Sequence, residues 1–378
     1  MNASSQTVKP DEARFMSRAL QLAAKAWGKT HPNPLVGAVI VEGGRIVAEG
    51  WHEKAGAPHA EVQAIRSLGR KPGPDASLYV TLEPCSTEGR TGACTNALRE
   101  AGIRRVVVGA SDPNPKHAGR GLTVLREAGI EVIEGVLADD CADLNLIFNH
   151  WIVTGSPLLA VKMAVTLDGK FAAASGHSKW VTGEAARADV MRWRRYFPAI
   201  AVGANTVLYD DPSLTSRIGG EVWCPRRFVF DRSLKTFGAD SVPKLYADAH
   251  AACTTVVYSA TADLDLREKL AASGIDAWQL PERDGHLDWP VFRERCAAES
   301  VCGVYVEAGP ELATALISGQ MIDYVFQYQA PKFIGDTAAK GVGAPRQTRS
   351  MEEAIRLHGV RHSVLGDDVL TRGWLKEG

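Results

Sequence analysis

Residues 77–110 read SLYVTLEPCSTEGRTGACTNALREAGIRRVVVGA, and their reading decides the fold class. SLYVTL is a buried-type strand that stops at Pro84, a residue that central strands exclude. TNALREAG has helical spacing and ends on glycine, and RRVVVGA is a second apolar strand. A strand, a helix and a strand in this order form a crossover unit, which joins parallel strands in an α/β layer. Two thiols, Cys85 and Cys94, lie inside the crossover: one directly after the strand, the other close to the helix start.

Working outward, DEARFMSRALQLAAKAW is a helix with Asp11 and Glu12 in its first turn, where negative charge is favoured. LVGAVIV and RIVAEGW, split by EGG, read as a hairpin. AEVQAIRSLG is a helix with Gly69 as its C-cap. GLTVLREAG and EVIEGVL give a further helix and strand. REAGI occurs at 99–103 and again at 126–130; with no third copy it marks two similar helix-to-strand turns, not a repeat architecture. Near 141–157 the pattern loosens and TGSP supplies a turn. The expected boundary is near 150, dividing the chain into domains 1–150 and 157–378. A second alternation follows: LLAVKMAVTLDGKFA, GEAARADVMRWRR, AIAVGA, RFVFD, TTVVYS, GVYVEAG, ELATALISG and DYVFQYQAP.

Composition narrows the function classes. The 378 residues are 45% hydrophobic and 23% charged, with a formal net charge of −1. This is an ordinary globular composition without the basic balance that grips nucleic acid. No apolar run approaches membrane-spanning length. The N-terminal stretch lacks a signal-peptide pattern. Seven scattered cysteines, an odd number, do not form a disulfide framework and point to a reducing cytoplasm.

His59 and Glu61 stand two residues apart in PHAEVQAI. Zinc takes Cys sulfur and His nitrogen, and a catalytic site keeps one position open for water. His59, Cys85 and Cys94 would supply three ligands, with Glu61 beside the metal as a proton carrier. H-x-E followed by P-C and a second Cys is the arrangement of zinc deaminases, although eight residues separate the thiols here where that signature has two. A structural zinc would want a fourth ligand; His31 and His52 are candidates, without typical spacing to His59. A nucleic-acid deaminase shares the metal motif but would want a basic surface and leaves the second half unexplained. A zinc-stabilised binding protein is the reading from another class, and in it Glu61 would have no role.

HPNPLVGAVIV, HAEVQAI, TLEPCSTEGRTGAC, SDPNP and GRGLTVLREAGIEV together resemble the bifunctional riboflavin-biosynthesis deaminase–reductase family. VKMAVTLDGKFA, GHSKWVT, ANTVLYDDPSLTSR and VEAGPELATALI resemble its reductase domain. The likeness runs from about residue 12 to about 340. Ala93 departs from it, standing where the family pattern has Pro, and 218–226 and 235–253 match no part of the pattern. The resemblance implies an α/β chain with a cytidine-deaminase-like three-layer domain followed by a dihydrofolate-reductase-like domain. It implies zinc-dependent deamination of a 2,5-diamino-6-(5-phosphoribosylamino)pyrimidin-4-one, then NADPH reduction of the ribosyl chain to ribityl.

By the same resemblance, His59, Cys85 and Cys94 are ligands of one zinc ion and Glu61 is the proton shuttle. Asn33 and the DPNP of 112–115 line the deaminase pocket. Ala164, Trp180, Thr206 and Asp210 face NADPH, with the turn formed by Gly309, Pro310, Glu311, Leu312, Ala313, Thr314 and Ala315. Ser178, Arg194, Leu214, Arg217 and Glu307 face the substrate, as do Lys162 and Asp168. The family also implies a homo-oligomer, a dimer joined through C-terminal domains, acting on a small molecule.

The residues alone say less about this half. No G-x-G-x-x-G follows a strand, so a Rossmann domain is not supported. Gly309 and Pro310 open a helix whose free N–H groups suit a pyrophosphate, although many such turns merely cap. An Arg pair suits a phosphate, against a solvated basic helix face for MRWRRYF. Trp180 alone reads as a core aromatic.

Overall fold

The computed structural model describes residues 10–87, 92–283, 285–343 and 348–375. The N-terminal residues 1–9 and part of the GRTGAC loop, on which sequence expectations fall, lie outside them. The chain divides into two compact units, residues 1–155 and 156–378. No helix among the described residues is long and apolar enough to cross a membrane.

The first unit runs α1 (Pro10–Ala23), β1 (Gly37–Glu42), β2 (Arg45–Trp51), α2 (Ala60–Leu68), β3 (Ser77–Leu82), α3 (Cys94–Ala101), β4 (Arg105–Ala110), α4 (Arg120–Glu127), β5 (Glu131–Glu134), α5 (Ala138–Leu144) and α6 (Leu146–Thr154). Its sheet has the order β2-β1-β3-β4-β5. β1 pairs antiparallel with β2 and β3, while β3, β4 and β5 are parallel, as the crossover reading requires. Period-two alternation divides two cores. Ala38, Ile40, Leu78, Val80, Val106 and Val108 pack with Ala60, Ala64, Leu98 and Leu122 of the helices on one face. Val39, Val41, Tyr79 and Val107 pack with Phe15, Met16, Ala19 and Leu22 of α1 on the other. The result is three layers.

Two glycines set the layer spacing. A Cβ at Gly37 would lie 2.0 Å from the Ala19 carbonyl oxygen of α1, and one at Gly50 would lie 2.3 Å from the Ala64 nitrogen of α2. The helices rest directly on the strand backbone. Residues 138–154, where the sequence pattern loosens, are helical. Asn145, between α5 and α6, is buried, and it accepts the Leu35 N–H at 2.7 Å while donating to the Leu35 carbonyl at 2.9 Å.

The second unit begins with β6 (Leu158–Val165), α7 (Glu184–Tyr196), β7 (Ala199–Gly203), α8 (Ala204–Asp210), the hairpin β8 (Ser216–Ile218) and β9 (Glu221–Trp223), β10 (Arg226–Phe230) and α9 (Lys244–Ala247). It continues with β11 (Thr254–Ser259), α10 (Leu264–Ser273), β12 (Asp276–Leu280), the hairpin β13 (Glu282–Arg283) and β14 (His286–Leu287), and α11 (Trp289–Ala298). It ends with β15 (Gly303–Glu307), α12 (Pro310–Ser318), β16 (Tyr324–Gln329), β17 (His358–Leu365) and β18 (Asp368–Trp374).

Nine strands form one sheet in the order β12-β11-β10-β7-β15-β6-β16-β18-β17. From β12 to β16 neighbours are parallel; β18 and β17 add antiparallel at one edge. Along β7, Ala199 and Ala201 face a core with Phe228, Phe292, Val304 and Leu316, whereas Ile200 and Val202 face Val207, Leu214, Val229 and Leu245. Both faces are covered, as a parallel sheet demands.

Candidate active sites

In the first unit, β3 delivers Cys85 after Pro84, α3 begins on Cys94, and His59 is the N-cap of α2. His59 Nδ1 lies 3.1 Å from Cys94 Sγ and 3.6 Å from Cys85 Sγ, and the three ligand atoms all fall within 4.8 Å of one another. Zn–N near 2.0 Å and Zn–S near 2.3 Å in a tetrahedron place N and S about 3.5 Å apart, so the donor set fits one zinc ion. The Cys94 N–H donates to Cys85 Sγ at 3.4 Å, the kind of outer contact that stabilises a thiolate. A hydrogen bond from the Cys94 thiol and another from His59 outweigh burial and bring Cys85 down to about 4; the same contact with Cys85, together with burial, pushes Cys94 up.

Glu61, in the first turn of α2, is 3% exposed. Burial pushes its carboxyl up to about 6, against the opposing pull of its own backbone N–H and of His59. A carboxyl there exchanges protons near neutrality.

His52 does not join the ligand cluster. Its Nδ1 lies 3.2 Å from the Pro58 carbonyl and its Nε2 3.2 Å from Asn33 Nδ2. Burial lowers its pKa. A neutral ring donates from Nδ1 to Pro58 and accepts from the Asn33 amide, which fixes the amide's orientation. From its sequence position His52 is legible only as a candidate fourth ligand.

Glu83 of LEPC was not singled out from the sequence. It is 6% exposed, and it accepts the N–H groups of Asp112 (3.1 Å), Gly119 (3.0 Å) and Gly121 (2.9 Å). It thereby ties the DPNP loop and the start of α4 to the strand that carries Cys85. Within DPNP, Asp112 accepts the Asn114 N–H at 2.9 Å, and Asn114 accepts the Lys116 N–H at 3.0 Å. These side chains build the turn itself.

In the second unit, Lys162 on β6 stands opposite Glu307 on β15. Arg194 of α7 grips Glu307 through Nε (2.6 Å) and Nη2 (2.9 Å) and donates from Nη1 to the Thr215 carbonyl (3.0 Å). Burial works against both charges, yet each holds the other ionised: Arg194 is raised and Glu307 lowered. Burial lowers Lys162, with Glu307 opposing. Its Nζ lies 6.0 Å from the ring centre of Tyr328.

β7 and β15 are parallel neighbours, and their C-terminal ends bring α8 and α12 together. α12 has Gly309 as its N-cap and Pro310 at its start, with no side-chain cap, so its first N–H groups remain available. A Cβ at Gly309 would sit 3.6 Å from Thr206 Oγ1. Asn205 donates to Glu311 at 2.8 Å, and Gly343 donates to Thr314 Oγ1 at 3.3 Å. A bare helix start beside Thr206 fits the pyrophosphate of a nicotinamide dinucleotide. Ala313 is fully buried, so this position can offer backbone alone. Lys179 pairs with Asp210 at 3.6 Å. Trp180 is 65% exposed, with the Arg187 guanidinium 4.9 Å from its ring centre; it is not the core aromatic that the residue alone suggested. Ala164 lies opposite Tyr328 on β16, and Ser178 is half-buried in the loop before Trp180.

The remaining expected substrate residues are placed as follows. The Leu214 side chain is 1% exposed and packed in the core, so only its backbone can meet a ligand. Arg194 is engaged with Glu307 and Thr215, which leaves the exposed Arg217 of β8, with no ion pair among the described residues, as the free guanidinium of the expected phosphate pair. Asp168 accepts from Thr166 Oγ1 (2.5 Å), Ile334 N–H (3.2 Å) and Gly335 N–H (2.9 Å). Its carboxylate thereby joins the turn after β6 to the 334–335 segment.

Family models match each of the two units. The family model for the cytidine and deoxycytidylate deaminase zinc-binding region matches residues 9–110, and that for the RibD C-terminal domain matches residues 157–371. The riboflavin biosynthesis protein RibD of Actinobacillus pleuropneumoniae is 39% identical over 356 residues, covering 94% of this chain and 93% of its own. RibD of Escherichia coli (strain K12) is 39% identical over 336 residues, covering 86% and 89%. The structure of Acinetobacter baumannii RibD superposes with a TM-score of 0.76 at 34% identity, over 96% of this chain and 98% of that one. A Thermotoga maritima diaminohydroxyphosphoribosylaminopyrimidine deaminase/5-amino-6-(5-phosphoribosylamino)uracil reductase gives 0.76 at 32% identity, over 96% and 98%. With a zinc-type thiol and imidazole cluster on a cytidine-deaminase-like unit, and a dihydrofolate-reductase-like unit following it in sequence, the chain belongs to the RibD family of bifunctional deaminase–reductases of riboflavin biosynthesis.

Proposed function

We propose that the chain removes the 2-amino group of 2,5-diamino-6-(5-phosphoribosylamino)pyrimidin-4-one and then reduces the ribosyl chain of the product to ribityl with NADPH. The observation that carries the first step is the buried Glu61 beside the cluster of His59, Cys85 and Cys94. These three residues would hold zinc, whose Lewis acidity lets a water lose its proton near neutral pH. Glu61 accepts that proton and returns it to the departing amine, so that nitrogen leaves as ammonia. Asn33, oriented by His52, hydrogen-bonds the pyrimidine.

For the second step, the start of α12 and Thr206 seat the cofactor's phosphates, and a nicotinamide supplies hydride to the sugar's C1′. The ring oxygen must gain a proton as it opens. Lys162, whose proton burial loosens, faces that oxygen, with Glu307 beside it. The Leu214 backbone and Arg217 hold the phosphate. Preference for NADPH over NADH is carried over from the family. None of the seven described cysteines is joined in a disulfide, as a reducing compartment favours; the reading places the enzyme in the cytoplasm as a homodimer.

The test is Glu61→Ala in the full chain. Ammonia release should fall at least about 100-fold, the scale of general acid–base catalysis, while zinc stays near one per chain. NADPH oxidation with the deaminated intermediate should persist. Unchanged ammonia release sinks the deaminase assignment, and no loss of nicotinamide absorbance with fresh intermediate sinks the reductase assignment.

A further inference from the structure

Arg227 is the second residue of β10, and its side chain is fully buried. Every guanidinium nitrogen donates. Nε reaches Thr254 Oγ1 at 2.9 Å; Nη1 reaches Asp248 Oδ2 at 2.8 Å and the Ser213 carbonyl at 3.1 Å. Nη2 reaches the carbonyls of Leu245 (2.9 Å) and His250 (2.7 Å), and Asp248 Oδ1 at 3.0 Å. Such a fork is rigid, and lysine cannot reproduce it.

The Ser213 carbonyl belongs to a loop with unusual backbone. Asp211 and Leu214 both take left-handed angles, φ 43° and 52°, without being glycine. Residues persist there when the surroundings over-determine them. The surroundings here are specific. Arg227 holds Ser213 from one side, Arg194 holds Thr215 from the other, and Ser216 Oγ donates to the Met191 carbonyl at 2.7 Å. The Lys244 N–H donates to Asp211 at 2.7 Å, and Leu245 packs against the Leu214 side chain. The segment 235–253, which matched nothing in the family pattern, is thus the wall that encloses Arg227 and backs the loop.

We infer that Arg227 and its counter-ion Asp248 are positioning residues for the reductase substrate: they fix the 211–216 loop so that the Leu214 backbone and Arg217 meet the sugar phosphate. This rests on the proposed reading of Leu214 and Arg217 as substrate residues. Neither Arg227 nor Asp248 touches the substrate. A displaced loop loses binding energy expressed equally in ground and transition states, which raises KM and spares kcat.

The experiment compares Arg227→Lys and Arg217→Ala in the full chain, with KM and kcat for the deaminated pyrimidine, NADPH affinity and ammonia release measured on each. Arg227→Lys should raise KM about tenfold with kcat, NADPH affinity and ammonia release within about twofold of the parent. Should that variant not fold, Asp248→Asn, of nearly equal volume, is read the same way. An unchanged KM in a folded variant, or a parallel fall in kcat and NADPH affinity, overturns the positioning role. If Arg217→Ala raises KM and Arg227→Lys does not, that role alone fails. If neither moves KM, the reading of the loop as substrate-binding fails with it.

Discussion

Arg194 shows how a residue's partners redefine it. The resemblance assigns it to the substrate, yet its three nitrogens are engaged with Glu307 and the Thr215 carbonyl, with 12% and 14% side-chain exposure for the pair. Arg194→Ala removes the hydrogen-bonded partner of a buried carboxylate and leaves it only Lys162 on the neighbouring strand, so the second unit should lose about 3 kcal/mol, the low end for a broken buried pair, seen as a lower midpoint in urea. A loss below 1 kcal/mol would mean that the pair is held open to water. The deaminase residues were legible because metal chemistry demands particular residue types near one another, and H-x-E with two cysteines is such a pattern. Glu83, His52 and Arg227 were not. A buried, fully hydrogen-bonded polar side chain looks the same in sequence as a solvated one. Leu214 carries no side-chain signal at all, since its proposed contribution is backbone.

Among the elements, α2 is held by contact with β2. Gly50→Ala would press a methyl against the Ala60 oxygen at 2.4 Å and the Ala64 nitrogen at 2.3 Å. The helix that bears Glu61 and begins at His59 must then shift. We expect a cost of about 1–3 kcal/mol, as for other overpacked sites, and zinc content below one per chain by metal analysis. Full zinc retention would show that α2 can adjust. The turn after β6 is predicted to respond to acid. Hydrogen bonds from Thr166 and from the Gly335 and Ile334 amides hold Asp168 down at about 2. Because its folded value lies below the ordinary carboxylate value near 3.9, its stabilisation is complete above about pH 4 and is lost as pH falls through about 2. Protection of the Ile334 and Gly335 amides, measured relative to their intrinsic exchange at each pH, should fall across that window, and Asp168→Ala should remove that fall. Runs of β-branched residues made most central strands readable. α6 escaped because LIFNHWIVT is apolar on nearly every side and offers no stripe. β17 escaped because HGVRHSVL lies at the sheet edge, where little burial shapes its pattern.

Each unit has hydrophobic cores drawn from its own residues. Fragments 1–155 and 156–378 should therefore fold alone and keep their half-reactions. Treating the full chain with a zinc chelator should stop ammonia release and leave NADPH oxidation of the deaminated intermediate intact. Loss of both activities would show that one unit depends on the other. The α/β class was plain from strand and helix alternation. The expected boundary near 150 falls inside α6, which belongs with the first unit through Gly155. The junction between α5 and α6 has a further consequence during synthesis. Asn145 supplies the hydrogen bonds that Leu35 would otherwise lack, across 110 positions of chain. A nascent polypeptide emerging from the ribosome has its Asn33 loop early and the splint for that loop late. Deaminase competence therefore has to wait until nearly the whole first unit has cleared the exit tunnel.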